Sequence, residues 1–235
     1  MDAKNMNSEI IRVENVDKIY DDNGIPVNAL HSINLTVAKG DFSVIAGPSG
    51  SGKTTLLNIV GTLDKPTNGK IFLDGEDIST KSRRELADIR LKKIGFVFQA
   101  YNLNPVLSAL ENVEFTMMLR GIDAAERKRR GLALLEELGI AELAHKRPNE
   151  MSGGQQQRVA VARAISNEPR LVLADEPTAN LDSETAVKLL ELMEKLNHED
   201  GITFVFSSHD PQVIERAHRL LVLKDGKIVT DKKNN

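Results

Sequence analysis

A lysine and two hydroxyl residues, Lys53-Thr54-Thr55, close a stretch in which glycine recurs, Gly47-Pro48-Ser49-Gly50-Ser51-Gly52. The spacing is G-x-x-x-x-G-K-[ST], which suits a loop that grips phosphate. Glycines let successive backbone N–H groups converge on phosphate oxygens with no Cβ in the way. A lysine at the end of such a loop reaches the β- and γ-phosphates, and the Thr54 hydroxyl falls where a Mg²⁺ ligand belongs. The surroundings fit. The apolar run Phe42-Ser43-Val44-Ile45-Ala46 has strand length, and Thr54 to Val60 follows with helical spacing. The start of that helix adds the positive end of its dipole. A nucleoside triphosphate with Mg²⁺ is the expected ligand.

Other polar residues stand at the ends of apolar runs. Leu171-Val172-Leu173-Ala174 ends in Asp175-Glu176, Thr203-Phe204-Val205-Phe206 ends in Ser207-Ser208-His209, and Ile94 to Phe98 ends on Gln99. In open α/β sheets, ligands lie at the carboxyl ends of the strands. Asp175 is therefore the expected partner of the metal held by Thr54. Glu176, one residue on, can polarise a water beside the γ-phosphate. His209 can donate a hydrogen bond to that phosphate. A second helix start, Ser152-Gly153-Gly154-Gln155, combines a good N-cap serine with glycines that leave backbone donors uncovered, so it too suits an anion. Tyr20 precedes the turn cluster Asp21-Asp22-Asn23-Gly24 and is either a packing residue of a strand or a ring on which a base stacks.

These residues must be positioned by an ordinary globular chain. Of its 235 residues, 40% are hydrophobic and 28% charged, enough for one large domain or two small subdomains. A net charge of −3 gives no global attraction to nucleic acid or anionic lipid. The absence of cysteine excludes disulfides and thiolate metal sites. Met1 to Asn7 lacks the apolar core of a signal peptide, and no run approaches the ~18 apolar residues of a membrane span. A soluble, cytosolic protein is expected, with any membrane role supplied by a partner.

Strands are predicted over Ile10–Val16, Leu30–Val37 and Lys70–Leu73, with turns at residues 65–69 and at Asp74-Gly75. Ser82 and Glu85 form a capping box at the start of a helix. Residues 102–150 read as helical by period, and Arg127-Lys128-Arg129-Arg130 reads as a solvated helix face. A long helix is predicted over Asp182–Asn197. Asp225-Gly226 joins a hairpin of Arg219–Leu223 and Lys227–Thr230, and Lys232 to Asn235 reads as a frayed tail.

Together these residues resemble the nucleotide-binding subunit of an ABC transporter, in the family's order and over nearly the whole chain. Gly47 to Thr54 is similar to Walker A and Leu171 to Asp175 to Walker B. Ser152 to Gln155 resembles the ABC signature, with Met151 where leucine is commoner. Ala179-Asn180-Leu181-Asp182 resembles the D-loop, Gln99 the Q-loop glutamine, His209 the switch histidine and Tyr20 the adenine-stacking aromatic. The resemblance implies Glu176, His209, Gln99 and Lys53 as catalytic residues. It implies ATP contacts from Tyr20, from Gly47 through Thr55, and from Gln99, Ser152, Gly153, Gly154, Gln155, Asp182 and His209. Thr54, Gln99 and Asp175 would hold the metal.

The implied fold is a single α/β ABC ATPase domain. It has a P-loop NTPase (RecA-like) core with an antiparallel β subdomain, residues 1–99 plus 168–235, and an inserted α-helical signature subdomain, residues 100–167. The implied activity is transport-coupled ATP hydrolysis with ATP and Mg²⁺ bound. The partners would be a second copy in the ATP-bound state and an integral-membrane permease, with no nucleic acid and no direct membrane insertion. The protein would be cytoplasmic, peripheral on the inner face of the membrane.

Phosphoryl transfer needs donor groups on every face of the γ-phosphate, and no arginine finger is evident in cis. The Ser152 helix start of another copy can cover the open face, which implies a two-fold, head-to-tail dimer. Phe96 to Pro105, Ala109 to Val113 and Gly61 to Gly69 are similar to the lipoprotein-release and macrolide-efflux group, a pattern shared in large part by cell-division and antimicrobial-peptide cassettes. The alternative is a soluble or cell-division ABC-type ATPase with a non-transport membrane or nucleic-acid partner. A chromosome-maintenance ATPase would need a long coiled coil, and Val60 to Glu150 has no sustained heptads.

Overall fold

In the computed structural model, the structure describes residues 9–22 and 24–234. The segment Met1 to Asn7, Asn23 of the first turn cluster, and Asn235 lie outside the described residues.

Two sheets form. A four-stranded antiparallel sheet in the order β2-β1-β4-β5 comprises β1 (Glu9–Asp22), β2 (Ile25–Ala38), β4 (Asn68–Leu73) and β5 (Glu76–Asp77). A six-stranded sheet has the order β10-β9-β3-β8-β7-β6. Its strands are β3 (Phe42–Ala46), β6 (Ile94–Val97), β7 (Leu171–Asp175), β8 (Thr203–Ser207), β9 (Arg219–Lys224) and β10 (Lys227–Lys233). Strands β6, β7, β8, β3 and β9 run parallel and β10 returns antiparallel. This is the expected α/β P-loop core with its antiparallel β sheet.

Alternation along the central strands explains the layering. Phe42, Val44, Val172, Ala174, Phe204 and Phe206 point to one face, into a core shared with α3 (Ala109–Leu119), α4 (Ala124–Glu137), α5 (Gly153–Ile165) and α6 (Ser183–Asp200). Ile45, Leu171, Leu173 and Val205 point to the other face, toward α1 (Lys53–Val60), α2 (Arg83–Lys93) and the antiparallel sheet. Successive side chains of a strand take opposite faces, so a strand covered on both sides must be apolar throughout. β3 and β8 are buried at every position. Phe42 and Phe206, with ring centroids 4.6 Å apart, fill the centre of the first core. Phe206→Ala is expected to cost about 3–5 kcal/mol, read as a lower urea midpoint at an unchanged slope.

Helix ends follow the capping signals. Ser82 and Glu85 form the expected capping box, and Ser108 with Glu111 forms another at the head of α3. Most of the basic run is solvated, as read, and partly neutralised, but Arg127 turns inward and donates to the Ile122 carbonyl. Arg129 and Arg130 both reach Glu126, whose carboxyl they hold down at about 2.

Two readings need correction. β1 continues to Asp22 and β2 begins at Ile25, so the hairpin is longer than the apolar alternation indicates. Lys232 and Lys233 are not a frayed tail: they pair with Leu220 and Arg219 as the end of β10. Lysines along this exposed edge strand discourage pairing with another sheet edge. Arg219 anchors the same edge through a forked contact with Asp231 at 2.7 and 2.6 Å.

Candidate functional site

Because β3, β6, β7 and β8 are parallel, their carboxyl ends fall on one rim of the sheet. There the chain forms a cleft of about 560 Å³ lined by Pro48, Ser49, Gly50, Gly52, Lys53, Thr54, Thr55, Gln99, Glu176 and His209, together with Val27, Asn28 and Ala29 of β2. The spacing-based reading of the phosphate loop, the Walker B end and the histidine thus converges in one place. The β2 segment was not anticipated. It lies alongside the loop through long-range packing and carries no motif.

Within the cleft the polar groups hold one another. Lys53 is almost fully buried and its ammonium donates to the carbonyls of Gly47 and Pro48 at 2.8 and 2.9 Å. These carbonyls keep the cation at the loop's centre, where phosphate oxygens belong. The Thr54 hydroxyl donates to Asp175 Oδ1 at 3.2 Å, bringing together residues 121 positions apart. Ser51 Oγ is buried within the loop and has no hydrogen-bond partner among the described residues.

Glu176 sits just past β7 with a left-handed φ of 46°, its N–H bonded to the Ser207 carbonyl at 2.8 Å. Left-handed backbone is uncommon for a residue with a Cβ. Here it turns the carboxylate out of the strand and onto the rim. Glu176 Oε1 lies 2.8 Å from His209 Nδ1, and its Oε2 accepts from the Ser208 hydroxyl at 3.3 Å. The carboxylate is largely sheltered, at 14% exposure, whereas the histidine ring is 74% exposed. A sheltered carboxylate beside an open histidine is an arrangement that can take a proton from a water in the cleft.

The Gln99 loop is tied to its neighbours. The Gln99 carbonyl accepts from Asn180 Nδ2 at 2.9 Å, and Arg163 of α5 donates to the carbonyls of Tyr101 and Asn102 at 2.8 and 2.5 Å. Burial pushes the Arg163 guanidinium below its usual range.

Ser152, Gly153, Gly154, Gln155 and Asp182 do not line the cleft. Ser152 caps α5, its hydroxyl accepting from Gln155 N–H while Gln155 Oε1 accepts from Ser152 N–H at 2.9 Å. The next N–H groups of a helix start lack partners within the helix. A Cβ on Gly153 would lie 2.7 Å from the Tyr101 hydroxyl and one on Gly154 2.4 Å from Thr185 Cγ2, so a larger residue at either position would displace a neighbouring side chain. Asp182 caps α6: its carboxylate accepts from the Thr185 hydroxyl at 2.7 Å and N–H at 3.0 Å, contacts that hold it below the usual carboxylate range.

Tyr20 does not itself line the cleft; it stands opposite Val27, which does, in the β1–β2 register, and directly paired residues share a face of the sheet, so its ring stands beside the cleft. Burial and the neighbouring Asp64 carboxylate push its phenol above the usual value.

Comparison with known proteins agrees with this geometry. Residues 30–179 match the family described as ABC transporter. The lipoprotein-releasing system ATP-binding protein LolD of Aquifex aeolicus is 47% identical over 222 residues, covering 94% of this chain and 97% of LolD. The macrolide export ATP-binding/permease protein MacB of Brucella melitensis is 46% identical over 222 residues, and the match spans 94% of this chain but 34% of MacB. The dimeric structure of the Methanocaldococcus jannaschii cassette MJ0796, bound to ADP and Pi, superposes with a TM-score of 0.89 at 44% identity, covering 95% of this chain and 98% of that one. No helix among the described residues is long and apolar enough to cross a membrane. The chain belongs to the ABC transporter family, as an ATP-binding, ATP-hydrolysing cassette akin to the lipoprotein-release and macrolide-export group.

Proposed function

We propose that two copies of this chain close head-to-tail over two ATP molecules, and that hydrolysis lets them part to drive an integral-membrane permease of the lipoprotein-release or macrolide-export type. The observation that carries this reading is the division of the donor groups. One cleft holds the phosphate loop, Gln99, Glu176 and His209, while the Ser152 helix start lies outside it. A single copy therefore offers donors to one side of a γ-phosphate, and the Ser152 start of a second copy completes the other. The related MJ0796 cassette has a dimeric structure, which supports the pairing of two copies.

In this reading Lys53 and the loop N–H groups bind the phosphates, and Gln99 and His209 orient the attacking water and the γ-phosphate. Glu176 accepts the proton as the water attacks phosphorus, and ADP departs with the bridging oxygen. Ser152 through Gln155 and Asp182 face the nucleotide of the other copy.

The residues present suit Mg²⁺. The Thr54 hydroxyl and Asp175 carboxylate converge as hard oxygen donors, with Gln99 on the same rim. Mg²⁺ commonly takes one or two protein oxygens, with phosphates and waters completing its shell. When bound, it would neutralise charge between the β- and γ-phosphates.

Residues 100–167 form the signature subdomain in this reading, and the rest forms the catalytic core. An apolar groove bounded by Phe96, Phe98, Phe115 and Leu119 adjoins the Gln99 loop. We assign it to a cytoplasmic helix of the permease, which would hold the protein peripherally at the inner face of the membrane. Its continuity with the Gln99 loop supports this, as does MacB, whose name joins an ATP-binding part to a permease.

Light scattering tests the clamp. With ATP and EDTA, which blocks turnover, the mass should double from 25.9 kDa, and it should fall back when Mg²⁺ is added and ATP is consumed. A chain that turns over ATP while remaining monomeric throughout would remove the clamp.

A further inference from the structure

Tyr20 is held in a way that simple strand packing does not require. Its hydroxyl donates to Asp64 Oδ2 at 2.8 Å, and the Thr55 hydroxyl also faces it. Lys18 Nζ donates to Asp64 Oδ1 at 2.8 Å and to the Lys65 carbonyl at 2.9 Å, and it lies 4.6 Å from the centroid of the Tyr20 ring. Asp64 is itself fixed, its Oδ1 accepting from Lys65 N–H at 2.7 Å. It follows the end of α1, where Leu63 N–H and Asp64 N–H both return to the Asn58 carbonyl at 2.8 and 3.1 Å.

The ring thus has one face occupied by an ammonium and its hydroxyl edge pinned, while the residue remains 38% exposed. Around it the hairpin tip is loosely covered, with Ile25 at 68% and Val27 at 48% exposure. The tether supplies what the exposed hairpin does not, a fixed angle of the ring. A cation on one face draws ring electron density toward itself. That leaves the other face less electron-rich and better matched to a π-rich base.

We propose that Asp64 is a positioning residue for nucleotide binding: with Lys18 it locks the Tyr20 ring so that a purine base stacks on its open face. This rests on the reading of Tyr20 as the base platform. Asp64 follows the helix whose first turn belongs to the phosphate loop. The tether therefore fixes the distance between the base platform and the phosphate cradle.

The test compares dissociation constants for ADP and for inorganic pyrophosphate, since only ADP carries a base. Tyr20→Ala should weaken ADP about tenfold or more, the loss of one stacked base, with pyrophosphate unchanged. Tyr20→Phe and Asp64→Ala should each weaken ADP about five- to tenfold, the range for losing one hydrogen bond of ordinary net strength. The double variant should be no weaker than either single one. Asp64→Asn, which still accepts from the phenol, should recover part of the loss. If Tyr20→Ala leaves ADP affinity unchanged, the base platform itself is wrong and the inference falls with it. If Tyr20→Ala weakens ADP but Tyr20→Phe and Asp64→Ala do not, the platform stands and the positioning role is lost. Equal loss of pyrophosphate in Asp64→Ala would mean that Asp64 supports the phosphate loop, not the ring, and would also overturn the proposal.

Discussion

Glu176→Gln should lower ATP turnover by about 10²–10⁴-fold, the range for removing a general base, while nucleotide binding survives. The carboxylate is sheltered, and both its oxygens are engaged, by His209 Nδ1 and the Ser208 hydroxyl. Glutamine keeps the shape and can still meet both neighbours, so the fold and the rim geometry should persist. Only the capacity to accept a proton is removed. In the clamp proposed above, a chain that binds ATP but cannot cleave it should stay paired, so the doubled mass should persist with Mg²⁺ present. Phosphate release and light scattering on the same sample read both effects. Turnover within about tenfold of the parent chain would remove Glu176 from the proton-accepting role.

Ser152→Arg should reduce turnover by at least about 10²–10³-fold, comparable to losing a donor aimed at developing charge, yet leave ADP affinity of the single chain unchanged. The reasoning is spatial. Ser152 heads α5 outside the cleft, so a bulky cation there cannot touch nucleotide bound to its own copy. It would obstruct only a surface brought against another copy. The lost N-cap should cost about 1 kcal/mol, as other cap removals do, which a protein of ordinary stability tolerates. Calorimetric titration of ADP and a steady-state ATPase assay separate the two effects. An active variant, or one that loses ADP affinity in parallel, would mean that each chain finishes its own site.

The chemistry was legible because it lies where the signals are strongest. Strands β3, β7 and β8 are apolar along nearly their whole length; β3 runs directly into the phosphate loop, and β7 and β8 deliver Glu176 and His209 within two positions of their ends. Local caps were equally plain: Ser152 as an N-cap and Ser82 with Glu85 as a capping box behave as read. Ser108-Ala109-Leu110-Glu111 carries the same signal for α3. The outer half of the β1–β2 hairpin was hidden, since Ile25 to Asn28 are exposed and show no alternation. Pairing alone makes that half a strand. Asp64 was illegible for a different reason. An acidic residue in a turn reads as turn chemistry, and its partners Lys18 and Tyr20 lie more than 40 positions away. Lys232 and Lys233 misled because a lysine-rich edge strand and a loose end have the same composition.

The helices between residues 109 and 165 bury Val113, Met117, Leu135 and Val159 in the same cluster as Phe42, Val172 and Phe206 of the central sheet. That layer therefore packs continuously against the sheet, within one shared core. Close-packed faces yield by sliding, typically about 1–2 Å. In the clamp proposed above, the working stroke of one cassette is therefore short and stiff, and larger travel delivered to the membrane comes from the separation of two whole cassettes.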